Sequence, residues 1–379
     1  MLNDCYRQNL VSPLFYAYPY LSTPPALTDF TCVLQTCDRA WDSLRRIPYS
    51  TPGRWVQALD LSRVSCTTPG ERLAVDTLLT HLFPLTPFLT RLVLNNTVRM
   101  STRAMAALAS RESADLLRVL KGVKWEKMEM TVWNPLREDP LLALVRASIG
   151  LEELEVFGPG LQDDEEEDGP MTPQLHTPPP TPLPPLFLPR LHSLMILSLP
   201  KAPLLSSLVR SPLPSLRHLM VTPYDDVPSA LTSSLVATHG AALHTLAFHT
   251  PKIWPPIRGH TPPTLLHTSP RLRALSLTFP LPLLTAPPSA PAMGHPLQIL
   301  SLPRPDPTYL YKLEAWLYLG LLQSLEEIHM REVRWIRAGL SNRAAEAGVQ
   351  GEMKEWKRRL GRWRVRIMDV SGQEDLLSA

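Results

Sequence analysis

The stretch LPSLRHLMV (213–221) sets the pattern on which the chain is built. Leu216, Leu219 and Val221 are apolar at offsets of zero, three and five, and Arg217, His218 and Met220 stand between them. A helix of 3.6 residues per turn scatters such offsets around its axis. A short strand leaving a tight bend puts the last two on one face by its two-residue alternation. One such strand cannot bury its apolar face alone, and the same triplet recurs: Leu89-Leu92-Leu94, Leu151-Leu154-Val156, Leu191-Leu194-Ile196, Leu243-Leu246-Phe248, Leu272-Leu275-Leu277, Leu297-Leu300-Leu302 and Leu325-Ile328-Met330, with Val56-Leu59-Leu61 as an earlier copy. From Leu191 onward the copies start at 191, 216, 243, 272, 297 and 325.

A period of roughly 25–29 residues with this spacing is the leucine-rich-repeat signature. Segments with helical periodicity lie between the triplets. Thr68-Pro69-Gly70-Glu71 reads as a capping box with proline at the first helical position, opening a helix with Val75, Leu78, Leu79 and Leu82 on one face. Ser101–Ser110, Leu141–Ala147, Leu204–Val209, Ala230–Ala237 and Tyr309–Gln323 predict further outer helices. Prolines replace the helix between Pro251 and Thr264 and between Pro280 and Pro296, which predicts extended crossings there. Leu116–Val123 is a poor copy, with Gly122 where a core leucine belongs. The expected fold class is therefore α/β: an irregular leucine-rich-repeat solenoid of about nine or ten repeats, with a helical N-terminal cap and a helix–strand C-terminal cap.

The segments follow. Residues 1–50 form the N-terminal cap, where Thr23-Pro24 starts a helix whose apolar stripe is Leu27, Phe30, Leu34, Cys37, Trp41 and Leu44. Residues 51–161 are a first block of repeats and 191–330 a second, more regular one. Residues 162–190 read as a disordered insert: six consecutive acids, Asp163 to Asp168, then a run too rich in proline for helix or inner strand. Six acids in a row lack the spacing and turn glycine of a calcium loop. Thr172, Thr177 and Thr181 each precede a proline, as proline-directed kinases require. Residues 331–379 form a basic C-terminal cap, with Val349, Met353, Trp356 and Leu360 on one helical face and a closing strand over Val365–Val370.

Bulk properties change this picture little. The net charge of +3 over 379 residues is too mild to require a polyanion. The four cysteines, Cys5, Cys32, Cys37 and Cys66, form no CxxC pair and read as reduced thiols, which fits a cytoplasmic or nuclear protein. No apolar run reaches the ~18 residues of a membrane span, and the polar start MLNDCYRQNL is no signal peptide.

No phosphate-cradling glycine loop, GxSxG elbow or HExxH pair is present, so no catalytic residue, metal ligand or cofactor site is expected, and the chain reads as a non-enzyme. The segment Arg331–Arg366 carries eleven Lys or Arg against four Glu, interleaved with Trp335, Trp356 and Trp363. Such a mixture holds nucleic acid in some proteins. Here Trp356 falls on the apolar stripe, which favours a solvated basic helix and makes nucleic-acid binding the runner-up reading. The leading one is a protein target on the concave face, lined by the residues between the core positions: Arg91, Val93 and Asn95; Glu153, Glu155 and Phe157; His218, Met220 and Thr222; Thr245 and His249; Ser276 and Thr278; Glu327, His329 and Arg331.

The stretch Leu10–Gln35 (LVSPLFYAYPYLSTPPALTDFTCVLQ), followed by WVQALDLS (55–62) and the repeats, resembles fungal F-box/leucine-rich-repeat proteins. Val11-Ser12-Pro13-Leu14-Phe15-Tyr16 and Pro19-Tyr20-Leu21 are similar to the segment that follows the F-box helices in that family. The resemblance implies a substrate receptor of a cullin–RING ubiquitin ligase, in which the F-box grips a Skp-type adaptor and the repeats hold the target. The F-box helices themselves have no counterpart here beyond a tail within Met1–Tyr16, so a repeat-only binding protein is the second form of the same expectation.

Overall fold

The structure is a computed structural model that describes residues 13–41, 51–124, 139–158, 184–198, 203–223, 231–250, 262–279, 281–287, 294–335 and 343–374. The chain divides into two compact units, Met1–Ser215 and Leu216–Ala379. The seam thus falls one repeat later than the insert that separates the two blocks in the sequence.

In the first unit, five strands pair in parallel and in strict chain order: β1 (Ala58–Leu61), β2 (Arg91–Leu94), β3 (Val119–Lys124), β4 (Glu153–Phe157) and β5 (Ser193–Leu197). The second unit continues the rule with six: β6 (His218–Val221), β7 (Thr245–Phe248), β8 (Ala274–Ser276), β9 (Ile299–Leu302), β10 (Glu327–Met330) and β11 (Arg366–Met368). Parallel neighbours need a crossover. Helices supply most of them: α1 (Pro24–Arg39) ahead of β1, then α2 (Pro69–Leu82), α3 (Thr102–Ala109), α4 (Pro140–Ala147), α5 (Pro203–Arg210), α6 (Leu231–His239), the single turn α7 (Leu265–Thr268), α8 (Pro307–Tyr318) and α9 (Arg343–Leu360). Between β8 and β9 the described residues past α7 contain no helix, as the prolines predict.

The predicted triplets are the core. Leu216, Leu219 and Val221 are all buried, and so are the corresponding residues of every copy from Val56-Leu59-Leu61 to Leu325-Ile328-Met330. Most strands are entered through the same bend. The first residue of the triplet donates its N–H three residues back, as in Leu89 to Thr86, Leu151 to Ser148, Leu243 to Gly240 and Leu272 to Ser269. Just past the bend, one carbonyl accepts two N–H groups from the next repeat. Gln57 O takes Thr90 N and Arg91 N at 2.8 and 3.1 Å, and Arg273 O takes Gln298 N and Ile299 N at 2.8 and 2.9 Å.

The poor copy at 116–123 is a full repeat with one residue too many. Leu117 and Leu120 are buried in the first two positions, and the pairing with β4 then slips, so that Val123 instead of residue 122 lies opposite Val156. Gly122 takes up the slip at φ +75, and a Cβ there would stand 2.1 Å from Leu94 O. This is a bulge that needs glycine for both conformation and space.

Both sheet ends are closed. At the start, Thr23 caps α1 by accepting from Ala26 N at 3.3 Å, and Leu27, Thr31 and Leu34 face inward. Phe30 and Cys37 are half-buried and Trp41 is exposed, so the buried stripe is narrower than the sequence predicts; Leu44 lies outside the described residues. Ala17 O accepts from Gln57 N, and Tyr20 bridges Asp60 alongside β1. At the far end Met353, Trp356 and Leu360 of α9 are buried as predicted. There Arg364 and Asp369 occupy the positions held by Leu325 and Met330 one strand earlier. The Asp369 carboxylate, itself buried, accepts from the N–H groups of Trp335, Ser371 and Gln373, and Met368 pairs antiparallel with Glu374. That fold-back covers the last edge, which would otherwise template further pairing.

Three features correct or extend the sequence expectations. The insert ends before residue 184: Leu186 and Leu188 are buried, Leu186 N donates to Ser211 Oγ at 2.7 Å, and Arg146 Nη1 donates to Pro185 O. Prolines there permit an extended chain that still packs. The acidic run and Thr172, Thr177 and Thr181 lie outside the described residues. Arg111 is buried with Nε donating to Leu108 O and Nη1 to Thr86 O and Leu89 O, tying the end of α3 to the bend before β2. Burial lowers its pKa to about 10. His295 is buried too, its Nε2 3.1 Å from Ser269 O, and burial holds its pKa below the usual histidine value.

Two outcomes follow from this packing. Leu219→Ala should cost roughly 2–5 kcal/mol, the range for emptying a buried leucine site, whereas His218→Ala, whose side chain is exposed, should cost roughly 0.5 kcal/mol or less. Urea denaturation of both variants measures this, and equal losses would refute the strand register. Because the folded state favours neutral His295, its contribution is complete above the unfolded value of about 6.5 and is lost as the pH falls below it. His295→Gln should therefore lose less stability than wild type between neutral pH and pH 5.5.

Candidate functional site

The alternation that buries one side of each strand leaves the other open. Burial along β2, β6, β7, β9 and β10 alternates residue by residue, with the triplet positions inside. The open side is the candidate site, and each unit has its own.

In the first unit the in-register row Ala58, Arg91, Val119, Glu153, Ser193 crosses all five strands. Asp60, Val93 and Lys121 begin a second row, and Glu155 faces Met195. The charges here are largely answered locally. Lys121 Nζ lies 2.5 Å from Glu153 Oε2 and holds that carboxyl below the usual carboxylate range. Asp60 is held low by its hydrogen bond from Ser62, with Arg91 and Arg63 adding to it. Glu155 differs: burial pushes its carboxyl up, only partly opposed by Lys121. Phe157, half-buried at the end of β4, stands opposite Lys124 and Leu197.

In the second unit two rows cross six strands. One runs His218, Thr245, Ala274, Ile299, Glu327, Arg366, and the other Met220, Ala247, Ser276, Ser301, His329, Met368. Apart from Ile299 on β9, small side chains occupy the middle strands. Larger ones, His218 and Met220 on one side and Glu327 and His329 on the other, flank them. Glu327 is shared between the His329 ring, 2.8 Å away, and the Arg366 guanidinium; the histidine contact is the main cause of its lowered pKa. His249 and Arg331 follow the ends of β7 and β10 and form part of the rim.

Seven of the nine residues of the predicted binding set lie on the open side of a strand, Arg91, Glu153, Glu155 and Phe157 in the first unit and His218, Met220 and His329 in the second; His249 and Arg331 lie just past strand ends, at the rim. Two of the lining residues proposed with them are not on the open side. Asn95 Nδ2 donates to Ser62 O at 2.5 Å while its Oδ1 accepts from Thr97, so its amide closes a strand end. Thr222 is buried. Lys121 was hidden by the bulge at Gly122, which shifts the phase of its repeat. Arg366 was hidden because β11 reads as cap, although it adds a sixth strand to the face.

The basic C-terminal segment spends much of its charge on neighbours. Arg358 pairs with Glu355, Arg359 with Glu314, Arg366 with Glu327, and Lys357 lies 3.8 Å from Glu374. Arg359 also stacks 4.7 Å from the Tyr311 ring, and Trp356 is 1 % exposed.

No family model matches the chain, and no curated protein matches it in sequence. Among solved structures, a structural-genomics protein from Bacteroides fragilis is similar to it at 12% identity and a TM-score of 0.34, over 90% of this chain and 73% of that one. No helix among the described residues is long and apolar enough to cross a membrane.

Proposed function

We propose that the chain is a protein-interaction module built of leucine-rich repeats, which holds a protein target on the open face of its second unit. The observation that carries this reading is the pair of in-register rows from His218 to Arg366 and from Met220 to Met368. They offer a strand-by-strand surface of mixed chemistry, backed by the buried triplets. A broad surface with methionine, histidine and charge at its margins suits a polypeptide better than a small molecule, which binds in concave apolar pockets. On the strength of the sequence resemblance we propose further that it recognises targets for a cullin–RING ubiquitin ligase of the F-box type, or is a repeat-only relative of such receptors. That role belongs in the cytoplasm or nucleus.

The test is affinity purification from source cells with wild type, Met220→Asp and Lys354→Glu. Interface energy concentrates in few residues, so Met220→Asp should lose the target by about tenfold or more while keeping the thermal midpoint, and Lys354→Glu should retain it. Recovery that survives Met220→Asp and collapses with Lys354→Glu would move the site to the basic cap. Nucleic acid would then lead, with the steep salt dependence of phosphate contacts. A Skp-type adaptor recovered with the wild-type chain would support the ligase role; a target recovered without one would leave a repeat-only binder.

A further inference from the structure

The rim of the second unit's open face contains a cation that forms no ion pair with a carboxylate among the described residues. Arg331 follows β10, and its side chain turns back across the end of β9 so that Nη2 donates to Leu277 O, just past β8. Neighbouring strands lie about 4.8 Å apart. The guanidinium is thus carried from β10 to the strand beside β7, whose next residue is His249. Pro303, at the end of β9 beneath this path, brings no N–H of its own, and Thr278 follows Leu277 at the end of β8.

The other strand-face arginines of this end are paired: Arg304 with Glu332 at 3.3 Å, over the Phe279 ring, and Arg366 with Glu327. Glu332, the acid next to Arg331 in sequence, forms its ion pair with Arg304 and acts on Arg331 only as a nearby charge. Among the described residues no carboxylate pairs with Arg331, and its Nε is enclosed without a hydrogen-bond partner. The guanidinium is half-buried, and burial lowers its pKa. Burial, and next this same arginine, push the His249 pKa below the usual histidine value. Two nitrogen-rich groups thus share this rim, and among the described residues neither is in an ion pair with a carboxylate. A charge-assisted bond to a half-buried guanidinium is worth more than one at the open surface.

We infer that this rim takes a carboxylate from the protein target: an Asp or Glu side chain on an extended segment, received by the Arg331 guanidinium with the His249 ring beside it. The inference rests on the second unit's face being the docking surface. It adds the chemistry of the partner and the residue that anchors it. The flanking Phe279 ring, 42 % exposed, and the Thr278 hydroxyl would then meet the residues next to the acid.

The experiment selects binders to the intact chain from a randomised short-peptide library and measures the affinities of the synthesised winners. We expect the enriched peptides to share one Asp or Glu. Its exchange for Asn or Gln should weaken binding to wild type about tenfold or more, the effect of losing one charged hydrogen bond. The same exchange should leave binding to Arg331→Gln unchanged. Glutamine is too short to reach Leu277 O, so an unchanged thermal midpoint verifies that the fold survives loss of that bond; Arg331→Lys should retain part of the acid preference. Peptides without a shared acid, or with one indifferent to Arg331→Gln, would overturn the inference. If such peptides are still lost on Met220→Asp, the face remains the docking surface and only the anchor is wrong. A library that yields no binder would sink both. Random single-stranded RNA bound in an Arg331-dependent way would also overturn it, by making the ligand a phosphate.

Discussion

A doubly accepting carbonyl at most strand entries sets the register within each unit. Gln57, Thr90, Arg118 and Glu152 in the first unit, and Arg217, His244, Arg273 and Gln298 in the second, each take two N–H groups from the following repeat. A side chain's face is decided by parity along the strand, so a slip of one residue would turn every leucine outward and every open-face residue inward. The apolar triplets make that slip expensive, and the carbonyl makes it geometrically specific. Local hydrogen bonding and burial of the triplets therefore select the same arrangement, and the chemistry of the open face is a consequence of both.

That coupling explains what the sequence could and could not reveal. The triplets were legible because each contributes the same three buried contacts at a fixed period. So was the helix capped at Thr68, whose side chain and Glu71 exchange hydrogen bonds with each other's backbone N–H groups. The third repeat was obscured at Gly122, where one extra residue changes the parity and moves the core position to Val123. Leu186 and Leu188 were hidden among prolines that speak against helix and strand but not against packing. Arg111 and His295 were illegible for another reason: apart from Leu108 O, the acceptors they meet are backbone carbonyls distant in sequence, Thr86 O and Leu89 O for Arg111 and Ser269 O for His295. Asn95 and Thr222 sit where alternation gives way to a turn, and there parity stops predicting the direction of a side chain.

The two open faces differ in electrostatic character. On the first unit Lys121 and Glu153 neutralise one another, and Asp60 lies within the influence of Arg91 and Arg63, so a partner would have to compete with existing pairs. The second unit offers side chains that, Ile299 apart, are small on β7, β8 and β9, paired charges at Glu327, and at the rim a guanidinium with no ion-paired carboxylate among the described residues. Desolvating a charge already paired gains little, while supplying a counter-ion to a half-buried one gains more. That asymmetry is why the second face is the better candidate for holding a target, and why the partner's acid is the feature to look for.

Everything said of the faces depends on the register, and paired cysteines test it most directly. Ser276 and Ser301 are in-register neighbours on the open side of β8 and β9, whereas Ala274 and Ser301 are offset by two residues. Bridgeable cysteines have Cα atoms about 4.4–6.8 Å apart, a condition met by adjacent strands in register and exceeded on the diagonal. Mild oxidation followed by mass-spectrometric mapping should link Ser276→Cys to Ser301→Cys nearly completely and leave Ala274→Cys with Ser301→Cys unlinked. Linking of the diagonal pair, or failure of the in-register pair in a folded chain, would contradict the register and with it the assignment of the binding face.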